Sequence, residues 1–349
     1  MASLLAQGAF GLADEAFLEG KTVDGSAQVV RKVLKDDKFM GMILDGPARV
    51  EIDKWETVPL AGVRKSSFEQ NYDLPLEPRA ILVAASVETG DVFAGPAFEH
   101  KDELTPRPPR PPEFPEGENV KPFSIDVRKR LPTLPWRPGT LAFTVLLYDH
   151  RSNSVISRLE HKATKDPEVA RYLEAQKLPK FPQPASPDEG DDVSYALRPG
   201  SPDVPARPGI ALAIDRVAVD IPKARAVLHG SFRLPVGDGE RVRPRPEGPG
   251  ADRWHDVGDA KATAILPITL VITGDSDLGP WVEHLRVPSR VPLLTEGKQT
   301  WAVGHFHIDL LRAPDPVRQY QSYAVWAVSG DILSEPVKVS IISPDSVPQ

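Results

Sequence analysis

The chain has no cysteine. That absence excludes disulfides, thiolate zinc sites, iron–sulfur clusters and cysteine nucleophiles together. It is neutral on redox compartment, because a chain without thiols survives in either. No window approaches the ~20 apolar residues of a membrane-spanning helix, so no membrane span is expected. No Lys or Arg precedes the first apolar stretch, Met1 to Gly8, and the first acidic residues are Asp14 and Glu15. This is a poor signal peptide, and a soluble, cytoplasmic protein is the expectation. The common catalytic and nucleotide signatures are missing too. There is no Gly-x-Gly-x-x-Gly, no phosphate-binding loop, no Gly-x-Ser-x-Gly elbow and no His-Glu-x-x-His. A net charge of −7 argues against a nucleic-acid binder.

Proline is what the chain has in excess, with 38 against 25 glycines in 349 residues. Proline removes a donor and clashes inside helices, so its spread excludes a long-helix bundle or coiled coil. With 40% hydrophobic residues the chain has enough apolar side chains to fold, and its length suits about two domains.

The most informative pattern is an internal repeat. Residues 80–100, AILVAASVETGDVFAGPAFEH, align without a gap to residues 264–284, AILPITLVITGDSDLGPWVEH. Ile52-Asp53-Lys54 precedes the first block and Ile214-Asp215-Arg216 the second. Leu74-Pro75-Leu76 answers Leu234-Pro235-Val236. Phe123-Ser124-Ile125-Asp126 answers Phe306-His307-Ile308-Asp309, and Ser154 to Ser157 answers Asp331 to Ser334 more loosely. Runs such as Ala80–Val87, Ile265–Thr273, Ala142–Tyr148 and Tyr323–Val328 are continuous and apolar or β-branched, as expected of central strands. Thr-Gly-Asp is turn chemistry. The expected fold is therefore mostly β: two tandem, internally duplicated antiparallel β-sandwiches of immunoglobulin-like or Greek-key type.

The expected boundaries are an N-terminal extension over 1–47, with a short amphipathic helix over 26–35, and a first sandwich over 48–162. A helix capped by Asp166 and an acidic, Pro-rich linker span 163–204. The second sandwich covers 205–349, with an inserted loop over 237–261.

Candidate sites follow from residue type and spacing. Glu99-His100 and Glu283-His284 recur in both blocks, but neighbours on a strand point to opposite faces. A paired site would have to use His100 with His284. His305 and His307 lie at i and i+2, on one face of a strand, where two neutral imidazoles can chelate a transition metal. His284 or Asp309 would be a third ligand. Asp275-Ser276-Asp277 has part of a calcium-loop spacing but no following bidentate Glu, so a hairpin turn is the better reading. Residues 105–112, TPRPPRPP, read as a rigid polyproline connector or a docking epitope. Trp136, Trp254, Trp281 and Trp301 are core residues or a binding platform. Trp254 lies in the 237–261 loop, where a binding role is easily added to a rigid scaffold.

The functional expectation is a non-catalytic binding or assembly protein. Its partner is a protein, a second copy of itself or a glycan, and it needs no cofactor. Trp254, Trp281 and His100 are the candidate binding residues. The alternative is a metal-dependent enzyme or metal-binding protein using a transition metal held by His284, His305 and His307.

Overall fold

A computed structural model describes residues 40–52, 59–73, 79–99, 113, 117–161, 167–168, 171, 193–194, 197–215, 227–236, 242–244, 262–274, 280–289, 293–310 and 322–340. The molecule is mostly β, with several antiparallel sheets and two short helices among the described residues. The chain divides into two compact units. One comprises Met1–Val87 and Phe93–Leu178, the other Glu88–Val92 and Pro179–Gln349.

The first unit holds β1 (Gly41–Asp45), β2 (Arg49–Glu51), β3 (Pro59–Ser67), α1 (Phe68–Asp73), β4 (Ile81–Ser86), β5 (Val92–Pro96), β6 (Glu118–Asp126), α2 (Val127–Arg130), β7 (Gly139–Leu147), β8 (His150–Arg151) and β9 (Val155–Glu160). One sheet has the order β1-β3-β6. The other runs β2-β9-β7-β4-β5, with β8 on β7. The hydrophobic run of β4 is buried at every position, as a central strand requires. β9 alternates instead, burying Val155, Ser157 and Leu159 and exposing Ile156 and Arg158, because only one of its faces meets the core. Leu44, Leu60 and Ile125 from one sheet meet Leu82, Phe143 and Val145 from the other in one apolar cluster. Asn153 ties the sheets together: Leu44 N–H donates to its Oδ1 and its Nδ2 donates to Leu44 O, both at 2.8 Å. α2 is capped by Asp126, whose carboxylate accepts from Arg128 N–H.

The second unit holds β10 (Val193–Ser194), β11 (Gly209–Ile214), β12 (Val227–Val236), β13 (Val242–Pro244), β14 (Ala262–Gly274), β15 (Trp281–Pro288), β16 (Leu294–Glu296), β17 (Gln299–Asp309), β18 (Ser322–Ser329), β19 (Ile332–Leu333) and β20 (Val337–Ser340). One sheet has the order β10-β17-β12-β11, with β16 on β17. The other runs β13-β14-β18-β19, with β15 on β14 and β20 on β18. Leu228, Phe232, Phe306 and Ile308 from the first meet Ile268, Leu270, Tyr323 and Val325 from the second in one core.

Two local devices occur in each unit. In the first, Gly62 on β3 lies opposite Phe123 on β6, and a Cβ on Gly62 would stand 2.2 Å from the ring. In the second, Gly230 on β12 lies opposite Phe306 on β17, with the corresponding distance 2.1 Å. Glycine is required at both because the facing ring lies flat across the backbone. A buried serine after each hairpin is the second device. Val145 N–H donates to Ser152 Oγ, and Ser152 N–H to Val145 O. Ala327 N–H donates to Ser334 Oγ, and Ser334 N–H to Ala327 O.

Several expectations need correction. β2 joins β9 in parallel, so the first unit is not wholly antiparallel. β1 precedes residue 48 yet belongs to the first unit's sheet and core, since Met42 and Leu44 are buried there. The gapless match of residues 80–100 to 264–284 runs four residues out of the structural register. Leu82 pairs with Val145 and Leu270 with Ala327, the two residues whose backbone the hairpin serines bind, so Leu82 corresponds to Leu270 and not to Leu266. Ala80 O accepts from Ala97 N–H, 17 residues on, and Ala264 O from Ser289 N–H, 25 residues on, because the match is offset on both arms of the hairpin. Glu283 stands opposite Leu270 in mid-strand, while Glu99 follows the end of β5, so the two Glu-His pairs are not equivalent. The matches at Asp53-Lys54 and Leu74–Leu76, the helix over 26–35 and the Asp166 cap lie outside the described residues.

Candidate functional site: a buried His–His pair beside Asp215

β12 reads Leu228-His229-Gly230-Ser231-Phe232-Arg233-Leu234, a period-two pattern. Its apolar and glycine positions face the core, so His229, Ser231 and Arg233 face away. On β17, Ala302, Phe306 and Ile308 face the core, so Trp301, Val303, His305, His307 and Asp309 face away. The register puts His229 opposite His307 and Ser231 opposite His305. Asp215 follows the end of β11, where its N–H donates to Val227 O.

These residues lie side by side. Asp215 Oδ2 lies 2.9 Å from His229 Nε2, and His229 Nδ1 lies 2.7 Å from His307 Nδ1. The two rings meet edge to face, with centroids 4.7 Å apart. A nitrogen-to-nitrogen contact this short requires one donor and one acceptor, so a single proton lies between the imidazoles. Asp215 stands beside His229 Nε2 as a charged neighbour without a hydrogen bond to it, and which ring donates in the Nδ1 contact depends on the tautomer.

The imidazoles are sealed, whereas the Asp215 side chain is 57% exposed. His229 is 2% exposed, His307 1% and His305 4%. Residues 197–208 cross this face of the sheet as a strap. Ser231 Oγ donates to Asp203 O at 2.8 Å. Arg198-Pro199-Gly200-Ser201 makes a type II turn, with Ser201 N–H donating to Arg198 O and Gly200 at φ +89°. A Cβ on Gly200 would stand 2.9 Å from Asp215 Oδ1 and 3.4 Å from His229 Nε2, so the turn's apex rests on the Asp–His pair. The end of the expected linker is thus packed against the sheet.

The histidines expected to hold a metal do not converge. His305 and His307 share a face of β17. His284 lies on β15 in the other sheet, alternating with core residues Leu285 and Val287 and so also turned away from the core. The hydrophobic core separates it from the other two. His284 Nδ1 instead meets Thr269 Oγ1 at 3.0 Å. Partial burial holds its imidazole below its ordinary range, Arg286 pushes it the same way, and Asp91 opposes them. Among the described residues no group of three or more His, Asp or Glu is placed to hold a metal ion. Asp309 lies at the end of β17, opposite Val227.

Of the binding candidates, Trp281 is half-buried against the second unit's core, and Trp136 against the first's. Trp301 lies on the histidine side of its sheet, with the Arg233 guanidinium 5.3 Å from its ring centroid and Arg233 ion-paired to Glu296 at 2.5 Å. His100, Trp254, the polyproline stretch 105–112 and Asp275–Asp277 lie outside the described residues.

Asp215 entered the sequence reading only through the Ile214-Asp215-Arg216 block, and His229 carries no motif. Their signal was the alternation in β12 together with the Phe306 block. Once Gly230 is set opposite Phe306, antiparallel pairing puts His229 opposite His307. Neither the protein-family models nor the curated proteins compared with this chain give a match.

Proposed function

We propose that the chain is a non-catalytic binding or assembly protein made of two copies of one β-sandwich. The observation that carries this reading is the burial of the His229, His305 and His307 imidazoles. A catalytic imidazole must reach its substrate, and these imidazoles lie beneath packed backbone. Their role is in the fold.

The duplication is supported by the order of strands and by local detail. The run β9-β7-β4-β5 in one unit has the counterpart β20-β18-β14-β15 in the other, and β1-β3-β6 has β11-β12-β17. The facing Gly–Phe pairs and the serine-closed hairpins occur at corresponding places. A two-sheet scaffold of this kind holds loops rigidly for recognition.

A protein partner, a second copy included, suits the surface better than a glycan. Sugar rings stack on open aromatic faces, and Arg233 already occupies a face of Trp301. Arg and Trp are instead residue types enriched at protein interfaces.

The test combines composition with association. Purified, untagged full-length protein is analysed for metals, and its mass is followed by light scattering from micromolar to millimolar concentration. Affinity capture with reciprocal purification then identifies partners from the source cell. The expectation is no stoichiometric transition metal and a defined complex weakened by Trp301→Ala. A stoichiometric metal lost in a His305→Ala/His307→Ala double variant would restore the metal-centred alternative.

A further inference from the structure

We propose that the hairpin tip Tyr148–Arg151 of the first unit is a contact between two copies of this chain, in which Arg151 of each copy meets Tyr148 of the other. This deepens the binding reading above, on which it rests, by naming the partner.

Backbone strain marks the tip. Tyr148 has φ 53°, and among the described residues it is the one non-glycine with a positive φ. It opens a two-residue turn, in which Leu147 pairs with His150 and Leu146 with Arg151. The second unit has a hairpin of the same register. Ser329 pairs with Ile332 and Val328 with Leu333, and a buried serine, Ser152 or Ser334, closes each hairpin. There the turn opens with Gly330, at φ +59°. Positive φ at the first central residue alone is the type II′ pattern, and glycine is its ordinary occupant. A Cβ in the left-handed region crowds the following carbonyl, which glycine avoids. Tyrosine at 148 therefore works against the fold. Strain of this kind persists where the side chain serves something besides the fold.

The flanking residues differ in the same sense. Ile332 and Leu333 are half-buried, and Ile332 packs against the second unit's core. At the same places in the first unit His150 and Arg151 are exposed. Asp149, half-buried, has its Oδ1 3.5 Å from His150 Nε2. One hairpin thus serves its own core, and the other sets an exposed guanidinium and imidazole beside a half-buried tyrosine. Tyr and Arg are the residue types that dominate protein contacts, and a guanidinium is attracted to a tyrosine ring. A two-fold axis brings residue i of one copy to residue j of the other, and j to i. A patch holding both Tyr148 and Arg151 is then its own complement, which makes a second copy the partner. A contact built on one tip is small, so the association is weak and reversible.

The test is sedimentation equilibrium of untagged full-length protein from micromolar to millimolar concentration. Exchange protection of the β7 amides, taken at micromolar concentration, measures stability. The wild type is expected to self-associate reversibly. Tyr148→Gly is expected to move the two readouts in opposite senses. Protection of β7 rises about fivefold as the strain is released, while association weakens at least about tenfold. Arg151→Glu, at an exposed position, weakens association by a similar factor and leaves β7 protection unchanged. Gly330→Ala is the control: it lowers protection of β18 and leaves association as in the wild type. Weakened association in that control would assign the losses to general destabilisation and overturn the proposal. A Tyr148→Gly protein no more stable than the parent overturns it as well, because the ring then serves the fold. So does association that survives either tip substitution. A wild type that stays monomeric to millimolar concentration also overturns it, and leaves the binding reading with a different protein as partner. That reading itself falls on a stoichiometric metal.

Discussion

Gly230→Ala separates backbone propensity from packing, because the two predict opposite signs. Alanine in a strand interior ordinarily stabilises relative to glycine by roughly 0.5–1 kcal/mol, since the unfolded chain has less freedom to lose. Here the new methyl would stand 2.1 Å from Phe306 Cζ, with two further ring atoms at 2.2 and 2.6 Å. Ordinary van der Waals contact needs at least 3.4 Å, so the ring must retreat by more than an ångström. It has nowhere to go, because Phe306 is fully buried among Leu228, Ile308 and the facing sheet. Overpacking of this kind costs typically ~1–3 kcal/mol, and a clash with a rigid ring belongs at the upper end. The assay is urea unfolding by tryptophan fluorescence, with exchange protection of β14 and β18 to assign the loss to the second unit. Gly62→Ala, facing Phe123, is the matched experiment in the first unit. A double-mutant cycle with Phe306→Ala isolates the clash, and a coupling of about 2 kcal/mol is expected because the truncated ring leaves room for the methyl. A Gly230→Ala protein as stable as the parent, or a cycle without coupling, would refute the reasoning and remove the main structural support for the register.

Three further outcomes are expected. Ser152→Ala and Ser334→Ala each leave a buried N–H, of Val145 or Ala327, without its hydroxyl acceptor, and should each cost ~1–3 kcal/mol in the same unfolding assay. Burial, with Asp309 adding to it, raises Tyr323 well above the ordinary phenol range. The folded state therefore keeps a proton that the unfolded chain releases above about pH 10, so stability falls as pH rises past that point. Tyr323→Phe should flatten that alkaline decline, which unfolding at pH 9 and 11 checks. His284, held low by burial and Arg286, should titrate below the usual imidazole range in NMR, and Arg286→Gln should move its midpoint upward. The associated stability is present at neutral pH and is lost as pH falls below about 6.5.

Local pattern made the strand content legible. The runs at 81–86 and 322–329 are too short to be helices, and 262–274 is too rich in β-branched residues and carries Pro267. Thr89-Gly90-Asp91 forms its turn as its chemistry dictates, with Thr89 Oγ1 donating to Asp91 Oδ2 and Gly90 at φ +72°. The Phe123 and Phe306 blocks do occupy matching places opposite glycines. The Glu-His match misled because it runs four residues out of the structural register, Leu82 answering Leu270 and not Leu266, and identity along a chain carries no record of cross-strand pairing.

By itself the sequence determined the central strands at 81–86, 262–274 and 322–329 and the shared face of His305 and His307, because apolar runs, alternation and turn chemistry act over a few neighbours. Only the tertiary structure decided that His229 meets His307 across 78 residues, and that a turn at Gly200 lies against the histidine and Asp215. Those contacts depend on which strands pair and in what register. That choice is made by the whole core, through packing such as Phe306 on Gly230, and no local window contains it.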